Sequence, residues 1–204
     1  MSENDSPEEC KFEAYCFSTN FSNFSSITMI KQYLMSVKCS DVEYTNNNNT
    51  VSFTHALKVG NNTDVNCKII YNEISLSSKN IKINEEIDCF IIFFDLEYLN
   101  SLDELNKILK LLNTLGDIDK KIYVMSFYTS EINIKINLNE EDMQEYFGRY
   151  MLTNYEIMEV EMIPEDKFTN KIDEITIETL KEKKFIQSDS KDYDDKSKSG
   201  CILF

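Results

Sequence analysis

Val51, Phe53, His55, Leu57 and Val59 alternate with Ser52, Thr54, Ala56 and Lys58. A period of two predicts a strand with one buried face. Val65 to Tyr71 predicts a second strand, and Gly60-Asn61-Asn62 between them is turn chemistry, so the pair reads as a β-hairpin. Residues 12–17 (Phe-Glu-Ala-Tyr-Cys-Phe) read as a first strand. Ser25-Ser26 then precede Ile27, Ile30 and Leu34 at helical spacing, with Ser as the N-cap. Cys89 to Phe94 is an unbroken apolar run ended by Asp95. It reads as a central strand buried on both faces, as parallel sheets require.

The second half alternates regularly. Ser101-Leu-Asp-Glu104 has the form of a capping box, Leu105, Ile108, Leu109, Leu112 and Leu115 make a helical stripe, and Gly116 is its stop. Ile122 to Met125 is a short strand. Asn139 caps a helix carrying Met143, Tyr146, Phe147 and Tyr150; these aromatics, with Met151, are expected in the core. Tyr155 to Met162 is the last strand, and Phe168, Ile172 and Ile175 open a last helix that runs to about Lys184. Residues 36–50, with Asn46 to Asn49 in a row, read as a loop, and 72–86 as polar and irregular. The order β-α-β-β-β-α-β-α-β-α predicts an α/β fold. Its sheet would be mostly parallel and six-stranded, with one antiparallel edge hairpin strand and helices on both faces. We expect a disordered N-terminus at 1–9, one domain over 10–184, a flexible polar tail at 185–200 and a terminal motif at 201–204.

Composition narrows the function. A length of 204 residues with 42% hydrophobic content suits one domain with a substantial core. The net charge of −15 argues against nucleic-acid binding, which needs Lys and Arg on phosphates. The acidic start Met1-Ser-Glu-Asn-Asp is no secretory signal, and Ser at position 2 excludes N-myristoylation. The six cysteines (10, 16, 39, 67, 89 and 201) contain no CxxC pair, so reduced, mostly buried cytosolic thiols are expected. In that compartment the sequons at Asn20 and Asn61 stay unmodified. With His55 as the one histidine, a His-based triad or a His-containing zinc site has no support. The acidic runs Glu140-Glu-Asp142 and Glu165-Asp166 read as solvated surface rather than metal sites.

Asp88-Cys-Phe-Ile-Ile-Phe-Phe-Asp95-Leu96 followed by Ser101-Leu-Asp-Glu, then Asn139-Glu-Glu-Asp-Met and Tyr155-Glu-Ile-Met-Glu, match a known order in pattern and spacing. Over about residues 10–204 the chain resembles the Ras-type small GTPases, a P-loop NTPase-type fold. The resemblance implies four nucleotide motifs, and the chain departs from each. Ser18-Thr-Asn-Phe-Ser-Asn23-Phe24-Ser25 stands where G-x-x-x-x-G-K-[ST] is expected; Ser18 and Asn23 replace the glycines and Phe24 the lysine. Only Ser25 keeps the magnesium-ligating type. Asn72-Glu-Ile-Ser75-Leu76 stands at D-x-x-G-Q, Ser126-Phe-Tyr-Thr129 at N-K-x-D, and Glu161-Met162-Ile163 at S-A-K. Joint loss implies a pseudo-GTPase without catalytic residues, cofactor or metal. Phe21 and Phe24 are then expected to fill the vacated phosphate pocket, against the alternative of an apolar loop patch.

Cys201-Ile202-Leu203-Phe204 fits C-a-a-X, and a terminal Phe favours geranylgeranyl, so Cys201 is the lipidation candidate. Between Lys181 and Gly200 six Lys face five acids, so the tail lacks a polybasic signal. A single prenyl chain alone binds membranes reversibly. The expected partners are therefore a prenyltransferase, effector-like or adaptor proteins at a membrane, and a prenyl-binding carrier. The implied function is a lipid-anchored interaction module on the cytoplasmic face of a membrane, with traffic or signalling suggested by family analogy. Two alternatives stand beside it: a divergent GTPase that still switches on GTP and GDP, and an unlipidated soluble adaptor on the same scaffold.

Overall fold

A computed structural model describes residues 10–45, 49–59, 63–76, 83–84, 86–115, 119–128, 140–162 and 165–183. Among these residues seven strands form one sheet. They are β1 (Lys11–Ser18), β2 (Cys39–Tyr44), β3 (Thr50–Val59), β4 (Thr63–Glu73), β5 (Cys89–Asp95), β6 (Lys121–Tyr128) and β7 (Tyr155–Glu161). The helices are α1 (Ser26–Ser36), α2 (Ser101–Thr114), α3 (Glu140–Gly148) and α4 (Glu165–Glu182). The sheet order is β2-β3-β4-β1-β5-β6-β7. Pairs β4-β1, β1-β5, β5-β6 and β6-β7 are parallel, whereas β2-β3 and β3-β4 are antiparallel. Hence β3 alone runs against the other strands.

The α/β fold class, the mostly parallel sheet and the antiparallel pairing confined to one edge agree with the sequence reading. The strand count is corrected from six to seven. Residues 39–44, expected as loop, form β2 and place β3 one position in from the rim. Five of the six β2 residues are exposed, so the strand has no hydrophobic face to announce it. The turn at 60–62, the stop at Gly116, the cap at Asn139, the N-terminus 1–9, the tail 185–200 and Cys201 lie outside the described residues.

The core has two halves, one on each face. Phe12, Ala14 and Cys16 of β1, Cys89, Ile91 and Phe93 of β5, and alternate positions of β3 and β4 meet α1 and α4. Phe90, Ile92 and Phe94 of β5 and Ile122 and Val124 of β6 meet α2 and α3. All seven residues of β5 are buried, which is why its pattern is a run and not an alternation. Phe147 is buried and stacks on Tyr155 with ring centroids 4.1 Å apart. Met151, expected in the core, instead lies on the surface at 88% exposure. It follows the end of α3 with φ 54°, and that left-handed backbone turns the chain back toward β7.

Candidate functional site

In an open α/β sheet, ligands bind at the carboxyl ends of the strands, where neighbouring strands lead to opposite faces. Here that place lies between β1 and β5. From β1 the chain enters α1 on one face; from β5 it enters α2 on the other. The loop at 19–25 borders this crevice.

A buried polar network laces the crevice together. Asn20 Nδ2 donates to Asp95 Oδ2 at 2.7 Å. The Asp95 amide donates to Thr19 Oγ1 at 3.0 Å, and Thr19 Oγ1 donates to Ser101 Oγ at 3.0 Å. Ser101 Oγ in turn donates to the Asp95 carbonyl at 2.5 Å, and the Glu97 amide donates to Asp95 Oδ1 at 2.9 Å. Thr19, Asn20, Asp95 and Ser101 are all buried. Satisfied networks of this kind fix geometry, because any broken member leaves a desolvated polar group. Ser101 was expected to open a capping box. It is the first helical residue instead, after Asn100, which makes no side-chain cap bond. Its hydroxyl is spent on the crevice.

Several of the loop's amides also have protein acceptors. Asn20 N–H donates to Ser18 Oγ at 3.2 Å; Asn23 and Phe24 N–H donate to the Asn20 carbonyl at 3.1 and 2.8 Å. Ser25 is the N-cap of α1, as the sequence predicts, and accepts from the Thr28 amide at 3.3 Å. The Ile27 amide donates to the Glu73 carboxylate at 2.9 Å. Glu73 ends β4 and pairs in register with Cys16 of β1. A helix N-terminus attracts an anion because its first amides lack intrahelical acceptors and its dipole is positive there. In this protein the anion is a side chain of the chain itself.

A cavity of about 230 Å³ remains beside the loop. Ser18, Thr19, Asn20, Phe21, Ile74 and Tyr98 line it, and its one charged wall residue among the described residues is Glu104. Among the described residues no Lys or Arg lines it. Phe21 borders this cavity yet stays 46% exposed, and Phe24, 38% exposed, packs edge-on against Phe127 with centroids 5.7 Å apart. The expected plugging of the pocket by both rings is therefore not what forms: one ring rims the cavity and the other covers the end of β6.

His55 is a strand residue of β3, as expected, and is buried. Its Nδ1 lies 3.0 Å from the Lys38 carbonyl and its Nε2 3.6 Å from Asp173 Oδ1 on α4. Tyr33 of α1 donates to the same Asp173 oxygen at 2.6 Å. Hydrogen bonding to Asp173 raises the His55 pKa above its ordinary value against the opposing effect of burial, and the Lys38 carbonyl adds to the rise. Burial pushes the Tyr33 hydroxyl far up, so it remains a donor.

Sequence reading singled out the 18–25 loop and missed Asp95 and Ser101 as its partners and Glu73 as the acceptor at the start of α1. Glu73 carried one available signal: a carboxylate at the last position of a strand, beside the strand that feeds the loop. The sequence matches no protein-family model and no curated protein.

Proposed function

We propose that this chain is a non-catalytic interaction module built on a small-GTPase-like scaffold, a pseudo-GTPase. The observation that carries the reading is the Glu73 carboxylate on the Ile27 amide at the start of α1. A phosphate at that position would meet a negative side chain, the Asn20, Asn23 and Phe24 amides already bonded and, among the described residues, a cavity wall without a cation. The cavity also falls below the usual 300 to 1,000 Å³ of small-molecule sites. Without a γ-phosphate to hold loops in one state, the surface offered to partners is fixed rather than switched.

The anchor belongs to the same proposal. Where Phe204 carries the free carboxylate, Cys201-Ile-Leu-Phe204 presents Cys201 for geranylgeranylation, and the module then works at the cytoplasmic face of a membrane. Partner proteins at that membrane, or a prenyl-binding carrier, set its location.

The test uses the native protein purified from a eukaryotic host. Denaturation and anion-exchange chromatography of the supernatant should release no guanine nucleotide, and GTP with magnesium should leave the melting temperature unchanged. Stoichiometric GDP or GTP would overturn the reading and return a divergent switch. Intact mass should show loss of Ile202 to Phe204 and gain of a prenyl group; an unmodified mass would leave a soluble adaptor.

A further inference from the structure

Five cysteines lie among the described residues, and two of them meet across neighbouring strands. Cys10 immediately precedes β1, and Cys67 lies in β4. The parallel register pairs Lys11 with Lys68, and the Lys68 amide donates to the Cys10 carbonyl at 2.9 Å. One step back along both chains sets Cys10 opposite Cys67. Cys67 lies in the core half shared with α1 and α4, and Cys10 packs against that same cluster. Neighbouring strands run about 4.8 Å apart, inside the range of Cα separations that disulfides span.

We propose that Cys10 and Cys67 form a redox-responsive dithiol, which a peroxide closes into a disulfide joining the start of β1 to β4. Cys10 is only half-buried and is the accessible partner. Its thiolate attacks one oxygen of hydrogen peroxide; the O–O bond breaks, hydroxide leaves and takes up a proton, and Cys10 becomes a sulfenic acid. The Cys67 sulfur then attacks the Cys10 sulfur. The S–O bond breaks, the S–S bond forms, and the departing hydroxide takes the Cys67 proton as a second water. In sum, two thiols and one peroxide give one disulfide and two waters.

The surroundings divide the roles. Burial, then contact with Cys10, pushes the Cys67 thiol well above its ordinary pKa, so it remains protonated until an electrophilic sulfur sits beside it. The Lys183 ammonium, anchored by Asp88 at 2.8 Å and by the Lys11 carbonyl at 3.1 Å, acts in the opposite direction and favours its thiolate. Cys16 and Cys89 do not share this geometry, because Cys16 registers with Ile91 and Cys89 with Ala14.

The experiment treats the reduced full chain with hydrogen peroxide and counts thiols in denaturant. In chain made in a bacterial host, where Cys201 stays unprenylated, two of six thiols should be lost and four remain. Non-reducing peptide mapping should recover the Cys10 and Cys67 peptides linked, and dithiothreitol should restore all six. Cys10→Ser, a change at a half-buried position before the strand, should keep its five thiols under the same treatment. Retention of six thiols in the wild type, a different linked pair, or Cys10 carried to sulfinic acid with Cys67 still a thiol would overturn the proposal.

Discussion

Glu73 does two things at once: it ends a strand and serves the first turn of a helix 46 positions away in sequence. A carboxylate there accepts an orphan amide and lies at the positive end of the α1 dipole. Glu73→Ala removes both contributions and should lower stability by about 1 kcal/mol, read as a reduced urea midpoint. An unchanged midpoint would mean that solvent satisfies the Ile27 amide equally well. Met151 is the opposite case, a side chain with no burial to defend its backbone. A residue with a Cβ at φ 54° is strained, and glycine is not. Met151→Gly should raise stability by about 0.5–1 kcal/mol in the same titration. A loss of stability would show that the thioether makes contacts worth more than that strain.

Among elements, β3, α1 and α4 meet at His55, Tyr33 and Asp173. The folded protein binds the His55 proton more tightly than the unfolded chain does, because its pKa is raised. Its contribution is therefore complete below the ordinary value of about 6.5 and fades as pH rises through the folded pKa. The urea midpoint of the wild type should fall over that window more steeply than that of His55→Gln. Parallel pH curves for the two proteins would refute the coupling. Elements also explain what could be read in advance. β5 and the α2 stripe were legible because burial on two faces, or on one helical face, leaves a period in the sequence. β2 was not, since Cys39-Ser-Asp-Val-Glu-Tyr44 is held by its pairing with β3 and hides almost nothing. Ser101 was misread for a related reason. Its neighbours spell a cap, but its hydroxyl answers to Asp95 and Thr19, the latter 82 positions away in the chain.

At the level of the whole molecule, the sheet order brings the loop after β1, the end of β4 and the end of β5 to one place. The lack of Gly and Lys in the 18–25 loop could be seen in the linear chain, whereas its bonds to Asp95 and Ser101, and the acceptor that Glu73 gives α1, required the strand order. The order has a consequence for biosynthesis. β1 is made before its neighbours yet occupies the middle of the sheet, and Glu13 finds its Asp88 acceptor only 75 positions later. Until β4 and β5 have left the ribosome, β1 has no strand partner, and of the helices that cover Phe12, Ala14 and Cys16 only α1 is present. Such distant closure slows folding and lengthens the time for which an apolar strand stands open. A pause in translation before residue 95 would therefore prolong the exposure of that strand more than one after it.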